Sequence, residues 1–127
     1  MNHPTILLFN IQMIKTAQIA KLCADLGIEA RQVGSTEAAK TIEELAGFSS
    51  KASSPAKADK HPFPSGEMLV FCGLLPDKFD AFLTEYKKRG IPAVPLKAVM
   101  TPYNAKWTPG MLFAELRKEH AAFRKTK

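Results

Sequence analysis

Two stretches of this chain, "TILLF" (Thr5–Phe9) and "MLVFCGLL" (Met68–Leu75), are apolar almost without interruption. A short run with no polar alternation fits a strand whose two faces are both covered, since a one-sided sheet would carry a polar residue at every second position. Two such strands demand helices on both sides of a sheet.

The rest of the chain supplies them. From Ile11 to Leu26 the spacing is helical: Ile19, Leu22, Cys23 and Leu26 form one stripe, Gly27 closes it, and Asn10 stands where an N-cap belongs. "IEARQV" (Ile28–Val33) alternates as an edge strand does. "STEAAKTIEELAGF" predicts a short helix opened by Ser35 or Thr36 and stopped at Gly47. Pro76 suits the first position of a third helix, with Asp77 and Asp80 near its positive end, a stripe of Phe79, Phe82, Leu83 and Tyr86, and Gly90 at its close. "AVPLKAV" (Ala93–Val99) reads as a strand, and Pro95, which cannot donate to a ladder, places it at an edge. Thr108 and Pro109 open a last helix lined by Leu112, Phe113, Leu116, His120 and Phe123.

Alternation of this kind predicts a single three-layer α/β domain over residues 1–127, with a four-stranded parallel sheet in the order 2-1-3-4. A ferredoxin-like α+β sandwich also centres the first and third strands and is the alternative. "SSKASSPAKADKHPFPSG" (Ser49–Gly66) has no apolar period and reads as a flexible insertion.

With 46% hydrophobic residues in 127, the chain is long enough for one core without covalent staples. It has no run of about 18 apolar residues, so no membrane span is expected. The N-terminus reads as a first strand rather than a signal peptide. Cys23 and Cys72 lie in apolar patterns without metal-ligand spacing, which fits a reduced cytoplasmic protein. Charge is uneven. Residues 1–86 carry 8 Lys/Arg against 10 Asp/Glu, and residues 87–127 carry 10 against 2. A basic C-terminal third suits an anionic partner. No interleaving of aromatic and basic residues accompanies it, so nucleic acid is not the expected one.

Strong catalytic motifs are absent: there is no glycine-rich phosphate loop, no HExxH, no paired CxxC and no G-x-S-x-G. No cofactor and no metal are expected. Cys72 reads as a packed core thiol. His3 and His61 read as surface residues, and His120 as a residue at the core edge. In "LKAVMTPYNAKWTP" (Leu96–Pro109), Pro102 and Asn104 have turn roles, and Trp107 sits where a hydrophobic staple would reach toward Leu112. Lys97 has the weakest structural explanation. It is an edge guard unless it meets a ligand.

The same stretch, continued as "LKAVMTPYNAKWTPGMLFAELRKEH", resembles the C-terminal signature of domain of unknown function 3783, an uncharacterised bacterial family. That signature is a strand ending in L-K-A-V-L-T-P-x-N, a Trp-Thr pair, then a helix with L-x-E-E-L and E-H near its end. Lys97, Ala98, Val99, Thr101, Pro102, Asn104, Trp107, Thr108, Leu112, Glu115, Leu116, Glu119 and His120 match it. Upstream, Leu69, Val70, Gly73, Asp77, Asp80 and Leu83 match E-M-L-V-x-x-G-F-S-D-x-x-L-D-x-L-L, while Leu74–Pro76 departs from it. The good match covers about half the chain. "ILLFN" and a "LAG" near residue 46 extend it loosely upstream. The resemblance implies a small cytoplasmic bacterial protein and no particular activity.

The expected function is a non-enzymatic ligand-binding or regulatory module for an anionic small molecule or an acidic partner segment. Its site would combine Lys97, Thr101 and Asn104 with the turns at Asn10 and Gly73, on the view that the carboxyl ends of strands one, three and four share one edge. The alternative is a small enzyme using Lys97 with His120 or Glu119 as proton partner. A homodimer through an exposed edge strand is a third expectation.

Overall fold

The computed structural model describes residues 3–37, 40–47 and 62–125, with side chains up to residue 119. Strands β1 (Thr5–Phe9), β2 (Glu29–Val33), β3 (Met68–Cys72) and β4 (Leu96–Val99) form one four-stranded sheet in the order β2-β1-β3-β4. Helices α1 (Met13–Leu26), α2 (Ile42–Leu45), α3 (Pro76–Lys88) and α4 (Pro109–Lys125) cover it, with a 3-10 turn at Ser35–Glu37.

The strand order is the expected one, but the directions are not. β1 runs parallel to β2 and β3 parallel to β4, while the central pair β1/β3 is antiparallel. The sheet is mixed, which corrects the parallel reading. The unbroken apolar runs reported burial on both faces, and every residue of β1 and β3 is indeed buried. Two-sided burial follows from helices on both faces and carries no information about strand direction.

The two faces are distinct cores. Ile6, Leu8, Leu69 and Phe71 point one way, toward Ile19, Leu22 and Cys23 of α1 and Phe82 of α3. Leu7, Phe9, Met68, Val70 and Cys72 point the other way, toward Ile42 and Leu45 of α2 and Leu112 and Phe113 of α4. Each such side chain, taken fully from water, contributes about 1.5–3 kcal/mol before entropy is charged against it.

The helix ends hold several departures from expectation. α1 begins at Met13 with Gln12 in the N-cap position and no side-chain cap. Asn10 instead takes the left-handed conformation at φ 57° and lies in the turn before the helix. Gly27 does close α1 in that conformation, and the Lys78 ammonium donates to the Leu26 carbonyl at 2.6 Å, a cation at the negative end of the dipole. The single helix expected from Ser35 is split: α2 is four residues long and opens at Thr41, whose hydroxyl accepts from the Glu44 N–H while the Glu44 carboxylate accepts from the Thr41 N–H. T-x-x-E is a capping box, and it overrides the earlier Ser-Thr pair. Pro76 opens α3 as expected. Leu83 of its stripe is 38% exposed, not buried. β4 is shorter than expected, because Ala93–Pro95 remain outside the ladder. Thr108 caps α4 by accepting from the Met111 N–H.

Of the expected insertion 49–66, residues 49–61 lie outside the described residues. Pro62–Gly66 lead into β3, with the Phe63 ring 5.9 Å from that of Phe9.

The connection from β4 to α4 docks on α2. The Ile42 N–H donates to the Trp107 carbonyl and the Glu43 N–H to the Ala105 carbonyl, both at 2.9 Å, so two otherwise unpaired donors of α2 are satisfied. Lys106 pairs with Glu43 at 3.0 Å. Trp107 is half-buried against the α2/α4 core, with its ring edge to Tyr103 at 5.3 Å. Trp107→Ala is therefore expected to cost about 2 kcal/mol, less than the roughly 3–5 kcal/mol of a fully buried aromatic. Urea denaturation measures this. A change below about 0.5 kcal/mol, ordinary for a surface position, would refute the packing role.

Candidate functional site

Because β1 and β3 are antiparallel, Phe9 at the end of β1 stands beside Met68 at the start of β3, which stands beside Leu96 at the start of β4. The carboxyl end of β1 therefore lies at the opposite edge of the sheet from those of β3 and β4. The residues expected to converge are divided accordingly. Asn10 and Lys97 belong to one end. Gly73, Thr101 and Asn104 belong to the other.

At the far end the bonding of Thr101 and Asn104 is that of a turn. The Thr101 hydroxyl accepts from the N–H groups of Tyr103 and Asn104. Asn104 Oδ1 accepts from the Thr101 N–H, and Asn104 Nδ2 donates to the Val99 carbonyl. Gly73 holds φ at 73°, in the left-handed region that favours glycine. Cys72, just before it, is fully buried, and burial pushes its thiol up to about 12, as it does for Cys23. A thiol held protonated in this way is not a nucleophile at neutral pH.

At the near end a feature appears that motif reading missed. Lys15 on α1 is only 6% exposed. Its ammonium donates to Glu67 Oε1 at 2.7 Å and to the Ala93 carbonyl at 3.0 Å. Glu67 Oε2 accepts from the Gln12 N–H at 3.0 Å, so a carboxylate from the segment before β3 serves the N-terminus of α1, which has no acid in its own first turn. Asn10 Nδ2 donates to the carbonyls of Pro64 and Gly66 beside it. The signal was present: Lys15 lies four residues before Ile19 and so continues the buried stripe of α1.

Burial pushes the Glu67 carboxyl up, but the hydrogen bonds from Lys15 and Gln12 and the Lys15 charge outweigh it. The net pKa lies below the ordinary value. Tyr86 on α3 is pushed up to about 12, by burial first and then by the Glu67 charge. Its hydroxyl donates to the Pro92 carbonyl at 2.6 Å.

In front of this pair lies a slot of about 130 Å³ between α3 and β3/β4. Leu69, Phe82, Leu83, Tyr86, Lys87, Ala93 and Lys97 line it. Lys97 is exposed and on the α1/α3 side of the sheet, since it registers with Leu69. Its ammonium donates to the Val94 carbonyl at 3.0 Å. Helix α4 covers the opposite face through Leu112 and Phe113, so Glu119 is carried on the other side of the sheet from Lys97. The side chain of His120 lies outside those described. A broader groove of about 600 Å³, wide open to solvent, runs between α1 and β2 along Ile11, Met13, Ala17 and Gln32. Among the described residues, no group of three or more His, Cys, Asp or Glu is placed to hold a metal ion. Among them, no helix is long and apolar enough to cross a membrane.

Glu67→Gln leaves the Lys15 ammonium buried without a countercharge and is expected to cost about 3 kcal/mol by chemical denaturation. The pair also has a pH signature. A depressed carboxyl pKa contributes stability that is complete above the ordinary value of 4.5 and is lost as pH falls through the lower folded-state value. Thermal unfolding between about pH 6 and pH 3 should show a steeper acid loss in the wild type than in Glu67→Gln. Equal slopes would mean that the pair does not form.

No curated protein and no solved structure matches this chain. Residues 67–123 match the family described as a domain of unknown function, DUF3783.

Proposed function

We propose that this protein is a non-enzymatic binding module that takes up a small anionic molecule at the slot beside Lys97. The single observation that carries the reading is the composition of that slot. Its walls are Leu69, Phe82, Leu83 and Tyr86, and the side chains of Lys87 and Lys97 also line it. Concave apolar surface with a few placed charges is the usual form of a small-molecule site. An acidic protein segment would be met better by an extended groove than by a slot of about 130 Å³. All seven lining residues fall within the segment 67–123 that matches DUF3783.

A catalytic use of Lys97 would need a proton partner within hydrogen-bond reach. Glu119 belongs to the helix on the opposite face. The binding reading needs no such partner. Two free, buried thiols fit a reducing compartment, and we place the protein in the cytoplasm.

Lys97→Ala should abolish binding of the anion, as read by thermal shift and isothermal titration against carboxylated and phosphorylated metabolites. It should change stability by no more than about 1 kcal/mol, as for an exposed site. Unchanged binding, or a large fall in Tm, would overturn the assignment.

A further inference from the structure

We infer that the ligand of this slot is a monocarboxylate bearing one short branched or aromatic apolar group. Its carboxylate would meet Lys97, and its apolar group would lie against Leu69, Phe82 and Leu83. The inference rests on the binding reading above and narrows it in three ways.

The first constraint is size. An apolar cavity of roughly 150 Å³ takes a benzene molecule and little more. At about 130 Å³ the slot admits a phenyl ring or a branched chain of four or five carbons, but not a nucleotide base with its sugar.

The second is polarity. Leu69 and Phe82 are almost wholly buried, and the Phe82 ring is held between those of Phe71 at 5.5 Å and Tyr86 at 5.6 Å. The hydroxyl proton of Tyr86 is committed to the Pro92 carbonyl. A polyol or sugar entering here would lose water from its hydroxyls with few partners in return, which costs kilocalories per unpaired group.

The third is charge. Lys97 gives one of its three ammonium protons to Val94, which leaves two for a ligand. Glu67, whose charge is felt at Tyr86, is already held by Lys15 and the Gln12 N–H and does not call for a cationic ligand. Lys87 lies in the last turn of α3, where the dipole is negative. That end of a helix disfavours anions, and a multiply charged phosphate more than a single carboxylate; the usual phosphate site is a helix N-terminus with its free N–H groups. A single carboxylate at the Lys97 side of the slot meets these conditions.

The test is an amide chemical-shift titration of the full chain with phenylacetate, isovalerate, their neutral amides and inorganic phosphate. Both carboxylates should perturb Leu69, Leu83 and Lys97, and the amides should bind roughly tenfold more weakly or worse, since they lack the charge-assisted hydrogen bonds. Leu83→Trp, at an exposed position where folding is tolerant, should block the carboxylates by filling the slot. Phosphate perturbing Lys97 where the carboxylates do not would overturn this inference and leave the anion-binding module standing. Amides binding as well as carboxylates would overturn the carboxylate assignment. Carboxylate binding undiminished in Leu83→Trp would place it outside the slot and overturn the inference. No response at Lys97 to any probe would overturn both the inference and the module.

Discussion

The antiparallel pairing of β1 with β3 decides the layout of this protein. Each half of the chain is a strand, a helix and a parallel strand, and the two halves meet along their fully buried first strands. Five-residue strands that are buried on both faces exclude water from every ladder hydrogen bond between them, so this seam is both the apolar centre and the organiser of the sheet. Running the halves in opposite directions brings the start of β3 and β4 to the same edge as the end of β1. The slot, Lys15, Glu67 and Asn10 all follow from that edge.

The Lys15–Glu67 pair is the polar counterpart of the seam. It joins α1 of the first half to the segment before β3 and, through Ala93, to the connection before β4. Ion pairs taken out of water gain little net stability, because desolvation offsets attraction, yet they tolerate no mispairing. A pair placed where the two halves join therefore disfavours any other register of one half against the other. On the opposite face the loop after β4 does comparable work by completing the hydrogen bonds of α2.

Much of the fold was legible from local rules, and the failures have physical causes. Gly27, Pro76 and Thr108–Pro109 marked helix ends because backbone geometry and orphan N–H groups restrict those positions to few residue types. The start of α1 was misplaced because its cap is Glu67, 55 positions away in the sequence, and no local rule reaches that far. The candidate site was only partly legible. Lys97 lies on the slot and gives one hydrogen bond to the Val94 carbonyl, whereas Thr101 and Asn104 bond each other and the backbone of their own loop. Lys15, the most buried cation described, was passed over although it lies on the apolar stripe of its helix.

The sequence by itself determined where the four strands and most of the helices lie, which strands are central, and that both faces of the central strands are covered. Those properties are written in the period of apolar residues, which each segment carries on its own. Only the tertiary structure decided the direction of β3 against β1, because a strand buried on both sides reads the same in either direction. That one choice put Gly73, Thr101 and Asn104 at the far end of the sheet and left Lys97 at the end that carries Asn10, lining an apolar slot.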